Sequence, residues 1–276
     1  MEVLLLKATL APLLILLTSI AAHRLGPRFG GRLLGLPLST APFLVILCVE
    51  HGPQAASDAA RGAALGQLTV VTFCLVYARL ATKMRPLKAL PIAVLCGVIA
   101  EVVVVLTHSL WLTAIAIVTA VAGAVVWSST STDAAPQPGR GSRWDLPSRM
   151  AVSGAVVLIL TTAAPLLGPV LAGALSALPV LLIVMAPSVH RTAGGEAAAS
   201  LMYGALASAV GTIAFVLVLS ATLVPVGPWV AFALALGGMA TGDATVRAAR
   251  RVVPIRRLEV SGDFVGQRDR QRSAVG

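Results

Sequence analysis

Gly26-Pro27-Arg28-Phe29-Gly30-Gly31-Arg32-Leu33-Leu34-Gly35-Leu36-Pro37 has a partial echo in this chain. It returns 142 residues later as Gly168-Pro169-Val170-Leu171-Ala172-Gly173-Ala174-Leu175-Ser176-Ala177-Leu178-Pro179. The matches that carry weight are the glycines and prolines: Gly26-Pro27 with Gly168-Pro169, Gly31 with Gly173, and Pro37 with Pro179. Identities among Ala, Leu and Val are cheap in an apolar chain. The same offset carries Gly52, Gly62, Phe73 and Pro86 onto Gly194, Gly204, Phe215 and Pro228. No gap is needed from about Lys7 and Arg149 to Glu101 and Asp243. A duplicated unit in a membrane chain points to a transporter-like architecture with sites where the halves meet.

The composition requires a membrane. Hydrophobic residues make up 57% of the chain and charged residues 12%, and the mean hydropathy is +0.91. Apolar runs of about 20 residues span a bilayer core as helix, whereas a barrel needs an alternation that is absent. The net charge of +10 does not indicate nucleic acid, because the basic residues gather in short loops and the C-terminal tail. Cys48, Cys74 and Cys96 all lie inside apolar runs with no metal or disulfide spacing, so neither a metal nor a cofactor site is expected.

The fold class expected is all-α and polytopic, with nine spans at 3–22, 33–50, 61–81, 89–107, 110–127, 150–167, 170–189, 199–222 and 228–247. A cleaved signal peptide would also account for residues 8–22, with Ser19-Ile20-Ala21 at its cleavage site. The ungapped match of that segment to internal residues 149–167 favours a retained helix. Alternate connections hold the arginines and lysines: Arg24, Arg28 and Arg32; then Arg79, Lys83, Arg85 and Lys88; then Arg140, Arg143 and Arg149; then Arg191; then the tail. The positive-inside rule makes that side cytoplasmic, with the N-terminus outside and the C-terminus inside. Residues 1–108 then form one four-span repeat and 150–248 a second. Residues 109–149 hold a linker span and a cytoplasmic loop, and 249–276 a basic tail whose arginines can hold anionic lipid headgroups. The single extra span inverts the second repeat, a 4+1+4 plan.

Three groups of residues are candidates for function. Glu101 and its repeat mate Asp243 are acids inside apolar spans, where ionisation alone is costly. Glu101 lies about 20 Å along its helix from Lys88 at roughly 1.5 Å per residue. The pair could carry protons and couple them to transport. Against this, Asp243 precedes Arg247 by four residues, an ordinary helical ion pair, and Glu101 can reach toward the external headgroups. The second group lines two proline-interrupted spans: Pro37, Ser39, Thr40 and Pro42 in one, Ser176, Pro179, Pro187 and Ser188 in the other. Interior prolines free backbone carbonyls, which in lipid must face protein or a watery cavity. Packing kinks are the simpler alternative. The third group is the polar turn after each broken span, Glu50 and His51 in one copy and His190, Arg191 and Glu196 in the other, read as gates or as ordinary helix caps and loop solvation.

Each half resembles a small membrane protein of the GlpM-like type. The resemblance is carried by Leu34-Gly35-Leu36-Pro37, by Pro42, by the Gly52 turn, and by Asp58 and Arg61 opening the next span. In the second half Ser200 and Tyr203 replace Asp58 and Arg61. It implies a four-span unit in a bacterial inner membrane and names no substrate.

Soluble segments are too short for a catalytic domain, and no nucleophile, metalloprotease or nucleotide motif is present, so the chain is not expected to be an enzyme. Transport of a lipidic or weakly polar substrate is the expectation, because few polar side chains lie within the spans. A non-transporting subunit packed against a membrane-complex partner is the alternative.

Overall fold

The computed structural model describes residues 20, 24–37, 40–107 and 168–252. All regular structure among them is helical. In chain order the elements are α1 (Pro27–Gly35), α2 (Thr40–Ala81), α3 (Pro86–Thr107), α4 (Pro169–Ser176), α5 (Val180–Ala193), α6 (Gly195–Val226) and α7 (Pro228–Val252). Five stretches are long and apolar enough to cross a membrane: Phe43–Ala81, Pro86–Val103, Pro169–Ala193, Gly195–Val226 and Pro228–Ala248. Of the nine spans expected, 110–127 and 150–167 lie outside the described residues, as does all of 3–22 but Ile20.

Glycine and proline set the boundaries. α1 begins at Pro27, earlier than the expected 33, because Gly26 takes φ 93° and Pro27 starts the helix where its missing N–H costs nothing. Gly168 (φ 80°) and Pro169 start α4 in the same way. Gly52 (φ 85°) breaks α2 into two parts, ahead of Pro53. Its repeat mate Gly194 (φ 89°) ends α5 and precedes α6. This backbone region is open to glycine and costly for other residues. It moves the start of α6 to Gly195, four residues before the expected 199.

The contacts recur at the offset of 142. α1 lies against α6, and α4 against the second part of α2. A Cβ at Gly31 would collide with the Leu201 carbonyl oxygen, and one at its mate Gly173 with the Ala59 carbonyl oxygen. A Cβ at Gly62 would strike Val170 O, and one at Gly204 would strike Arg28 O. These four glycines allow backbones to touch, the usual device where lipid supplies no hydrophobic drive between helices. The second part of α2 and α6, which are repeat mates, run antiparallel. Ser57, near the start of one, donates to Ser220 O, near the end of the other, at 2.8 Å. At the opposite end Gly195 packs against Ala81.

Two buried clusters follow the same rule. One gathers Phe73, Tyr77, Ala93, Ala198, Leu201 and Ala205 among others. The other contains their repeat mates Phe215, Leu219, Ala235, Ala56, Ala59 and Ala63. Each cluster draws residues from both halves, so the two halves share their core.

Candidate functional site

Two helix breaks meet inside the protein. The chain leaves helix between Gly35 and Thr40, and again between Ser176 and Val180. These are repeat-equivalent places, each holding one of the matched prolines. Pro37 and Pro179 are both buried. Across the two breaks the Thr40 hydroxyl donates to the Ser176 carbonyl at 3.2 Å.

A helix that ends in an apolar interior leaves carbonyls without partners. Here hydroxyls on neighbouring helices take them. Thr212 Oγ1 donates to Gly35 O at 2.7 Å, and Ser208 Oγ to Arg32 O at 2.8 Å. Ser176 Oγ turns back to Gly173 O at 2.7 Å. The Pro37 carbonyl accepts from Ala41 N and the Pro179 carbonyl from Ile183 N, both at 2.8 Å. Of the other lining candidates, Pro187 and Ser188 are buried within α5. Their carbonyls accept from Arg191 Nε at 3.4 Å and from Thr192 Oγ1 at 2.9 Å. Ser39 and the side chain of Pro42 lie outside the described residues. Thr40 and Ser176 are thus brought together, and both hydroxyls serve backbone carbonyls.

The two acids occupy matched places with different neighbours. Half-buried Glu101 on α3 accepts a short hydrogen bond from Thr69 on α2. Thr69 Oγ1 also lies 3.2 Å from Gly97 O, one turn before Glu101. Gly97 makes this possible, since a Cβ there would stand 3.1 Å from both Thr69 Cγ2 and Thr69 O. In the other copy Gly211 stands where Thr69 does, and Met239 where Gly97 does. Asp243 Oδ1 is buried with no hydrogen-bond partner. It packs down on Gly211, where a Cβ would meet it at 2.5 Å. Burial is the first influence on Asp243, and the positive charges of Arg247 and Arg32 act against it, the second from the other half of the chain.

The polar turns are separate from both features. Glu50 and His51 are exposed neighbours 4.0 Å apart. Asp58 and Arg61 form a 3.7 Å pair across one turn. Arg191 and Glu196 are exposed, with Glu196 in the first turn of α6, where an acid suits the helix dipole. His190 differs. Its Nδ1 lies 3.3 Å from the hydroxyl of Tyr77, a fully buried side chain. The rings meet edge to face, and Tyr77 stacks on Phe73.

Sequence reasoning missed Thr69, Tyr77 and Gly97, and gave Arg32 only a topological role. One signal was available: a tyrosine in an apolar span needs a partner for its hydroxyl. Among the described residues no group of three or more His, Cys, Asp or Glu converges as a metal site. No family model matches the chain, and no curated protein or solved structure matches it.

Proposed function

We propose that this chain is an integral membrane transporter or lipid-intermediate flippase working by alternating access between two inverted repeats. In this reading the repeats hold four spans each and span 110–127 inverts the second. The protein lies in a bacterial inner membrane with its N-terminus outside and its C-terminus in the cytoplasm. The observation that carries it is the pair of repeat-equivalent helix breaks joined by Thr40 and the Ser176 carbonyl. Discontinuous helices at a repeat interface are how secondary transporters expose backbone groups at mid-membrane. The antiparallel packing of the repeat mates α2 and α6 supports the inversion. The substrate class that fits is lipidic or weakly polar, since hydroxyls rather than charges surround the breaks.

A specific observation favours the second reading, an accessory subunit of a membrane complex. The hydroxyls of Thr40, Ser176, Ser208 and Thr212 are all spent on internal carbonyls. Transport would require these bonds to exchange during the cycle.

Purified protein in lipid vesicles tests the choice. The transporter reading expects flux of lipid reporters or weakly polar solutes, with loss in Thr40→Val. No flux across such a panel, together with one stoichiometric co-purifying membrane partner, would replace it by the accessory reading. Topology is tested in a background lacking Cys48, Cys74 and Cys96. A cysteine at Gln54 should react with an impermeant thiol reagent added outside, and cysteines at Ser129 and Ser261 should not. Outside labelling at Ser129 removes the inverted plan.

A further inference from the structure

We infer that the chain has one proton-carrying site, the Thr69–Glu101 pair, with Thr69 as its positioning residue, and that Asp243 at the repeat-equivalent place lacks the hydroxyl partner such a site needs. The inference deepens the transporter reading and rests on it for the use of the proton, though not for the proton site itself.

The geometry turns on proton counting. A threonine hydroxyl holds one hydrogen and can donate once. Thr69 Oγ1 faces two acceptors, the Glu101 carboxyl and the Gly97 carbonyl. When Glu101 is a carboxylic acid, both contacts are bonds. The acid O–H donates to Thr69 Oγ1, and the Thr69 O–H donates to Gly97 O. When the proton leaves, the Thr69 hydroxyl rotates and donates to the carboxylate. Gly97 O then keeps its helical bond from the Glu101 N–H. Both protonation states are satisfied by one rotation about Cβ–Oγ, with no helix displaced. A group that must load and release a proton in an apolar setting needs this property, because an unpaired charge or orphaned donor there is costly.

The surroundings suit the role. α3 packs against α2 and α5. The titratable or charged groups within about eight to ten residues of Thr69 on α2 are Arg61, Cys74, Tyr77 and Arg79; α5 offers His190 and Arg191, and α3 itself holds Cys96. Tyr77 lies about 12 Å along α2 from Thr69 and is engaged with His190. Arg191 acts on Tyr77 rather than on Glu101. Thr69 is the neighbour that acts on the carboxyl. Asp243 has the opposite setting. Its hydroxyl partner is replaced by Gly211, and Arg247 and Arg32 supply positive charge. Asp243 therefore lacks the hydroxyl that would serve both protonation states.

The test is an infrared pH titration of the full chain in lipid nanodiscs, reading the carboxylic-acid C=O band. The native protein should show one hydrogen-bonded acid band at neutral pH. Glu101→Gln should remove it and Asp243→Asn should leave it. Thr69→Val, which keeps the shape, should move the band to the higher frequency of a free acid, and Thr69→Ser should restore it. A native protein without the band, or a band that survives Glu101→Gln, overturns the inference. So does a band that Thr69→Val leaves unmoved. The transporter reading fails separately. A band that behaves as stated in a protein showing no flux leaves the proton site standing and removes transport. Proton-coupled flux that survives Glu101→Gln does the reverse.

Discussion

Thr69, Glu101 and Gly97 in the first half hold the places of Gly211, Asp243 and Met239 in the second, with different polar partners. In the first, the small residue is on α3 and the hydroxyl on α2, so α2 reaches the carboxyl. In the second, the small residue is on α6, and the shorter acid packs against bare backbone with arginines beyond it. The backbone contacts recur at the offset and the polar partners differ. The 142-residue offset therefore locates both acids, and the local partners decide what each can do.

The shared scaffold gives the largest expected effect. Gly62→Leu and Gly204→Leu each force a side chain into a backbone carbonyl that cannot yield, Val170 O and Arg28 O. Each should cost about 3 kcal/mol or more, read as loss of monodisperse protein and a lower unfolding temperature in detergent. Gly237→Ala, where a Cβ meets nothing within 4 Å, should cost nothing and can add up to about 1 kcal/mol through helix propensity. Marked inequality between Gly62 and Gly204 would break the claim that the scaffold is common to both halves.

The acids come next. In vesicles, Glu101→Gln should abolish accumulation against a proton gradient and the pH dependence of flux, while substrate binding remains. Asp243→Asn should have a weaker effect and keep the pH dependence. Wild-type coupling in both variants returns Glu101 to an interfacial role.

The parts of this comparison that could be read in sequence are the ones written in backbone chemistry. Gly26 and Gly168, Gly52 and Gly194 are visible as matched letters because positive φ admits few other residues. The helix breaks near Pro37 and Pro179 are visible because proline removes a donor. What could not be read is register between distant segments. Thr69 lies in Gln67-Leu68-Thr69-Val70 and looks like any span hydroxyl until α3 is placed beside it. Arg32 looked like a loop charge until α1 proved helical and packed on α6. That the halves meet could be expected from the repeat, but not which helices cross. The shared core depends on α1 and α4 crossing to the opposite half.

Gly211 offers a smaller effect that sharpens the contrast. Gly211→Ala places a methyl 2.5 Å from Asp243 Oδ1 and 3.0 Å from Met239 O. The carboxylate can swing away; the backbone carbonyl gives only slightly. A cost of about 1–3 kcal/mol is expected. Asp243→Ala in the same chain should recover part of it, a coupling of about 1 kcal/mol in a double-mutant cycle. Strict additivity would mean that Asp243 does not press on Gly211, and the second site would need another explanation.

The smallest effect belongs to Tyr77 and His190, whose repeat mates are Leu219 and Cys48. Leu219 and Cys48 share the second cluster as plain apolar packing. Their counterparts place a phenol and an imidazole at the same junction, joined by a 3.3 Å hydrogen bond. Most of what Tyr77 contributes is its ring, stacked on Phe73 and fully enclosed. Tyr77→Phe keeps the ring and the edge contact to His190 and removes only the hydroxyl. His190 is half-buried, so water can reach the imidazole in its place. The net loss should be about 0.5–1.5 kcal/mol, the usual range for one hydrogen bond. Thermal unfolding of Tyr77→Phe, alone and with His190→Cys, measures it, and the double variant should show that the two losses are not independent. A loss well above that range would mean the hydroxyl is holding more than His190. The polar junction would then join Thr69 and Glu101 as a feature that sets the first half apart from the second.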